Sequence, residues 1–152
     1  MLNAALKRPL PRSEELLAHI NRALTPNRLP LLIAIDGADG CGKSSLASWL
    51  AWQLGMPTVH LDFFMTATVP IQWRTADLKR AISHRLDRGG PVIVEGILVL
   101  DAIEQVGLSP GFLVFVAGKG SSFFSEQIKT YRSRKRPCGN AEFVIRGFAD
   151  AS

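Results

Sequence analysis

Residues 31–54 read LLIAIDGADGCGKSSLASWLAWQL, and the change of texture along this stretch decides the fold. Leu31 to Ile35 is wholly apolar, the pattern of a short strand buried on both faces. Gly37, Gly40 and Gly42 then allow the chain to turn tightly. From Lys43 to Leu54 apolar residues return at helical spacing, with Leu46, Leu50 and Leu54 on one stripe. Gly55 and Pro57 end that helix in the usual order for a C-terminal stop.

The same alternation extends outward on both sides. Residues 1–12 are basic and punctuated by proline, an irregular arm. Ser13 is expected to cap a helix with Glu14 and Glu15 in its first turn and Leu16, Leu17, Ile20 and Leu24 on its apolar face. Downstream, Thr58 to Asp62 reads as a second strand. Thr75 is the expected cap of a helix in which Leu78, Ile82 and Leu86 repeat and Gly89 closes. Val92 to Glu95 and Phe112 to Val116 read as buried strands, and Ala102 to Val106 as at most a brief helix. Phe124, Ile128 and Tyr131 suggest a helix from Ser121 to Arg134, and Phe143 to Ile145 a last strand. Strands alternating with helices imply an α/β fold with a mostly parallel sheet, in a single domain spanning residues 1–152.

Composition narrows the classes. The chain has 152 residues, 47% hydrophobic and 20% charged, enough to bury one domain core and unlike a disordered segment. No apolar run approaches the ~20 residues of a membrane span, and Lys7, Arg8 and Arg12 have no apolar segment behind them, so neither a membrane helix nor a secretory signal is expected. Cys41 and Cys138 stand far apart in unlike contexts, which argues against a disulfide framework or zinc site and for a cytoplasmic setting. The net charge is +5, and Arg132, Arg134, Lys135 and Arg136 fall within five positions. Such a cluster suits an anionic ligand, nucleic acid or a solvated helix face.

The segment Gly37-Ala38-Asp39-Gly40-Cys41-Gly42-Lys43-Ser44 satisfies the P-loop pattern. Its glycines let backbone N–H groups converge on phosphate oxygens, and the following helix adds its positive N-terminus. Lys43 would reach the β and γ phosphates, and the Ser44 hydroxyl would coordinate magnesium, while Ser45 completes the first helical turn. The pattern sits between an apolar strand and an amphipathic helix, where its mechanism requires it. In a parallel sheet ligands gather at the carboxyl ends of strands, which would bring Asp62 near the loop. There it could accept a hydroxyl proton during phosphoryl transfer, or be only a turn or cap residue. Glu95 interrupts the run Val92-Ile-Val-Glu-Gly-Ile, and a buried carboxylate needs a partner, either bound magnesium or an ordinary donor. Arg132, Arg134 and Arg136 precede Pro137 and Gly139, and the stretch around 121–140 reads as a lid that would bring guanidinium groups onto transferring phosphates.

Three segments together, Ile35-Asp-Gly-Ala-Asp-Gly-Cys-Gly-Lys-Ser-Ser, His60-Leu-Asp-Phe-Phe and Val92-Ile-Val-Glu-Gly-Ile-Leu, resemble the uridine kinase-like P-loop phosphotransferases, which include phosphoribulokinase and pantothenate kinase relatives. The resemblance implies a five-stranded parallel sheet with helices on both faces. It further implies that Asp62 is the base on the acceptor hydroxyl, that Glu95 lies by metal and substrate, and that Tyr131-Arg-Ser-Arg-Lys-Arg belongs to the lid. The stretch between Asp62 and Thr75 is brief for a substrate-binding insertion, and nothing identifies a pyrimidine pocket. His60, Phe63, Phe64 and Trp73 are either an acceptor lining or plain packing.

The expected activity is transfer of the γ-phosphoryl of Mg²⁺-bound ATP to a hydroxyl of a small molecule, a nucleoside such as uridine being one candidate. The alternative is a catalytically weak nucleotide-binding module whose basic segment is an interaction surface. Guanine-specific signalling is disfavoured, since no [N/T]-K-x-D segment occurs. A small hydroxyl acceptor is the expected partner, nucleic acid and membrane are not, and a homodimer stays open.

Overall fold

The computed structural model describes residues 9–27, 30–118 and 125–148. Most of the expected basic arm and residues 121–124 of the expected lid lie outside them. In chain order the elements are α1 (Ser13–Leu24), β1 (Leu32–Gly37), α2 (Lys43–Leu54), β2 (Thr58–His60), α3 (Thr75–Asp87), β3 (Val92–Glu95), α4 (Val99–Gln105), β4 (Phe112–Ala117), α5 (Ser125–Lys135), α6 (Pro137–Asn140) and β5 (Phe143–Arg146), with a 3₁₀ turn at Leu61–Phe64 after β2. The strands form one five-stranded sheet in the order β2-β3-β1-β4-β5, and every pairing is parallel. This is an α/β fold with a parallel sheet, as the alternation of strands and helices implied, and it has the five strands and the helices on both faces that the resemblance implied.

Strand periodicity sorts the core into two layers. Ile33 and Ile35 of β1, Ile93 of β3 and Val114 and Val116 of β4 pack with α1 and α2. Leu32 and Ala34, Val92 and Val94, and Leu113 point the other way, onto a cluster that holds Leu78 and Ile82 of α3, Ala102 and Ile103 of α4 and Tyr131 of α5. Continued by two residues, the parity of β1 directs Asp36 toward α5. That of β3 directs Glu95 toward α2.

Local readings needed correction at the element ends. Ser13 does not cap α1: Arg12 occupies the cap in a left-handed conformation, and Ser13 is the first helical residue. Its hydroxyl instead accepts from the Leu10 amide at 3.2 Å and donates to the Leu10 carbonyl at 2.6 Å, tying down the entering chain. Likewise Arg74, not Thr75, is the cap of α3. The second strand stops at His60, so Asp62 lies on the 3₁₀ turn. The brief helix begins three residues earlier than its apolar spacing suggested, at Val99, because Leu98 turns left-handed before it. Arg132 and Arg134 lie within α5, inside the helix expected as far as Arg134, and Pro137 starts the short α6, for which no expectation was given. Among the described residues no helix is long and apolar enough to cross a membrane.

Candidate nucleotide site

The loop between β1 and α2 is a tight turn that passes close to β4. At Gly37 an added Cβ would stand 2.7 Å from the Val116 carbonyl oxygen and 3.2 Å from Lys43 Cδ, so only glycine lets the loop cross β4 so closely. Gly42 has φ +97, left-handed, immediately before the helix. Ala38 and Cys41 are buried while Asp39 and Gly40 form the exposed tip. Lys43 is only 6% exposed, and its Nζ donates to the Ala38 carbonyl at 2.8 Å. Its stem therefore folds back along the loop, and its charge lies within the turn.

A cavity of about 320 Å³ opens over the loop. Asp39, Gly40, Gly42, Lys43, Ser44 and Ser45 form its floor, and Asp62, Glu95, Gly96 and Phe148 its walls. The structure thus brings Lys43, Ser44, Asp62 and Glu95, which span 53 residues of sequence, to one space. Glu95 is 2% exposed. Its Oε1 accepts from the Ser44 hydroxyl at 2.9 Å and lies 2.6 Å from His60 Nδ1. The exposed Asp62 is carried into the cavity by the 3₁₀ turn. Phe63 beside it is 73% exposed and meets the His60 ring edge-on at 5.8 Å. Trp73 is buried in the layer on the α3 side of the sheet and so serves packing.

The arginines separate. Arg134 forks onto Asp101 of α4 with bonds of 2.9 and 2.7 Å, and this pairing holds its guanidinium pKa above the ordinary value. Lys135 pairs with Glu104 on the same helix. Arg136 is the left-handed cap of α6. Arg132 lies 5.9 Å over the Phe115 ring and lines a small separate hollow with Asp36 and Tyr131. None of the three arginines lines the loop cavity.

Asp36 lies directly before the loop and belongs to none of the candidate residues of the sequence pattern. It is 3% exposed, its Oδ1 accepts from the Gly37 amide at 2.8 Å, and its Oδ2 accepts from the Tyr131 hydroxyl at 2.6 Å. Burial pushes its carboxyl up to about 6, against the opposing effects of the two hydrogen bonds and the charges of Lys43 and Arg132. The Tyr131 hydroxyl is held far above its usual range by burial and by the adjacent carboxylate. The available sequence signal was an aspartate directly before the P-loop, in the strand parity that faces away from it.

No protein-family model and no curated protein matches the sequence. Solved structures do. A structure described as a possible uridine kinase from Bacillus stearothermophilus matches with a TM-score of 0.64 and 16% identity, covering 88% of this chain and 97% of that one. A shikimate kinase from Bacteroides thetaiotaomicron matches with a TM-score of 0.45 and 18% identity, over 77% of this chain and 86% of that one. The sheet order, the loop and the first of these likenesses define an α/β P-loop NTPase fold.

Proposed function

We propose that this protein is a small-molecule kinase that transfers the γ-phosphoryl of Mg²⁺-bound ATP to an acceptor hydroxyl, with a nucleoside such as uridine one candidate acceptor. One observation carries the reading: a phosphate loop with its lysine, a Ser44–Glu95 oxygen pair and an exposed carboxylate, Asp62, converge on one cavity. A phosphate-binding module alone has no use for the last.

The residues present suit magnesium. Ser44 Oγ and Glu95 Oε1 are hard oxygen donors 2.9 Å apart. Among the described residues no three His, Cys, Asp or Glu side chains close around an ion, and Mg²⁺ is usually held by few protein ligands together with water and phosphate. When bound, the ion supplies charge neutralisation on the phosphates. Lys43 exchanges the Ala38 carbonyl for phosphate oxygens, and the loop amides hold the remainder in place. Asp62 orients the acceptor hydroxyl and takes its proton as the oxygen bonds to the γ-phosphorus and the bond to the β-bridging oxygen breaks, releasing ADP. None of Arg132, Arg134 and Arg136 lines the cavity, so in this reading the phosphate charge is met by Lys43 and the loop amides. The pairing of Arg134 and Lys135 with acidic side chains also removes charge from the surface on which the alternative, a weakly catalytic interaction module, depends.

Asp62→Asn tests the assignment. Acceptor-dependent ADP release, screened over nucleosides, sugars and other alcohols, should fall by about two to four orders of magnitude, with the low end favoured for a loose transition state. Mg-ADP affinity should change little. Parent-like release from the variant would remove Asp62 from the site, and a parent with no acceptor in the panel would favour the interaction module.

A further inference from the structure

Asp36 is expensive to bury, and packing does not call for it. Beside it the small hollow is walled by Ile97, Leu98 and Ile128, which an apolar side chain would suit better. Its two oxygens instead link three elements. The Gly37 amide donates to one oxygen, which sets the first residue of the phosphate loop. The Tyr131 hydroxyl donates to the other and itself accepts from the Leu100 amide at 3.1 Å, in the first turn of α4. On α5, one turn before Tyr131, Gln127 clasps the backbone of Ile71: its Oε1 accepts from the Ile71 amide at 2.7 Å and its Nε2 donates to the Ile71 carbonyl at 3.3 Å. Helix α5 therefore holds the segment between the cavity wall and α3 at one point and the root of the phosphate loop at the other.

We propose that the Asp36–Tyr131 hydrogen bond is a positioning contact that couples α5 to the phosphate loop, so that seating a nucleotide and docking α5 on the 65–73 segment favour each other. The inference rests on the nucleotide-binding reading above. The path is short and physical. Tyr131 holds Asp36, Asp36 orients the Gly37 amide, and Gly37 with Ala38 forms the track on which the Lys43 stem and Nζ lie. Whatever factor α5 docking contributes to nucleotide affinity, the nucleotide returns to α5 docking, because linkage is reciprocal. The charged and titratable groups facing Asp36 are Tyr131 and Arg132 from α5 and Lys43 from α2. The segment leading into α4 brings only Ile97 and Leu98, while Asp101 acts on Tyr131.

The test titrates Mg-ADP into the full chain and into Tyr131→Phe between pH 5 and 8, and follows amide exchange at Ile71 with and without Mg-ADP. The variant should bind Mg-ADP about tenfold more weakly at pH 7, the usual size of a lost hydrogen bond to a charged group. The bend in the affinity profile near pH 6 should move upward in Tyr131→Phe, since the ionised carboxylate has lost a donor. Mg-ADP should slow exchange at Ile71 in the parent and fail to do so in the variant. Gln127→Ala leaves Asp36 and its partners in place, so it should keep the bend and weaken Mg-ADP about threefold. A Tyr131→Phe profile that is merely lowered with an unmoved bend would make Tyr131 structural only and overturn the inference. Unchanged Mg-ADP affinity in Gln127→Ala would overturn it too. A parent that does not bind Mg-ADP would instead overturn the nucleotide reading beneath it.

Discussion

Glu95 ends β3 and Asp36 is the last residue but one of the neighbouring β1, a single register step away, for Ile35 is the partner of Glu95. Both are almost wholly buried, at 2% and 3% exposure. Their surroundings differ because strand side chains alternate between faces. Glu95 continues the parity of Ile93, meets α2 and becomes a wall of the loop cavity beside Ser44 and His60. Asp36 continues the parity of Leu32 and Ala34, meets α5, and is held by Tyr131 with its carboxyl pushed up to about 6. Burial and charge alone would rank the two together. Facing direction separates a carboxylate that can serve a metal from one that holds the frame.

The comparison sets an order of expected effects. In the cavity that Glu95 walls, Lys43→Ala should lower transfer by roughly 10²–10³-fold, the weight of one donor to transition-state charge. Circular dichroism of that variant should remain parental, because among the described residues the hydrogen bond of Nζ goes to the Ala38 carbonyl and holds no helix or strand together. Transfer at the parent rate would show that the loop has the right shape without the function. Glu95→Gln comes next. It keeps an acceptor for the Ser44 hydroxyl but loses the charge, so turnover should drop by about 10–100-fold and recover in part at high magnesium. If extra magnesium restores nothing, Glu95 is a hydrogen-bond anchor and the contrast with Asp36 weakens.

Asp36→Asn should act on stability as well as on Mg-ADP affinity, and its effect on stability has a definite pH dependence. The folded carboxyl titrates near 6 and the unfolded one near its ordinary value of 3.8, so the folded state holds the proton longer. The Asp36 contribution to parental stability is therefore greatest below about pH 4 and declines as pH rises to about 6. The asparagine variant lacks this decline. The difference in melting temperature should therefore shift in the variant's favour across that window and stay constant above it, with a limit on the order of 3 kcal/mol if the whole shift is expressed, while the loss of one acceptor oxygen lowers the variant at every pH. A gap independent of pH would show that Asp36 does not titrate there. The smallest effect belongs to Arg134→Gln, which loses an exposed fork to Asp101: the melting temperature should fall slightly at low salt and match the parent at high salt. A collapse of turnover in this variant would return Arg134 to the catalytic set.

The sequence by itself determined the phosphate loop, the α/β class and the identity of the residues that floor the cavity. Those features are local: the spacing of Gly37, Gly42, Lys43 and Ser44, the apolar strand before them and the helix after them occupy one short stretch. It also marked Glu95 and Asp62, because a carboxylate breaking an apolar run or ending a strand stands out against its neighbours. Tertiary structure alone decided the rest. The Tyr131–Asp36 bond joins residues 95 positions apart, and no periodicity in either segment announces it. Arg132, Arg134 and Arg136 look like one basic patch on paper, yet about 100° of helical rotation per residue turns Arg132 toward Phe115 and Arg134 toward Asp101. Local pattern records what a residue's neighbours in the chain require of it, whereas the partner of a buried charge is chosen by which elements the sheet order brings together.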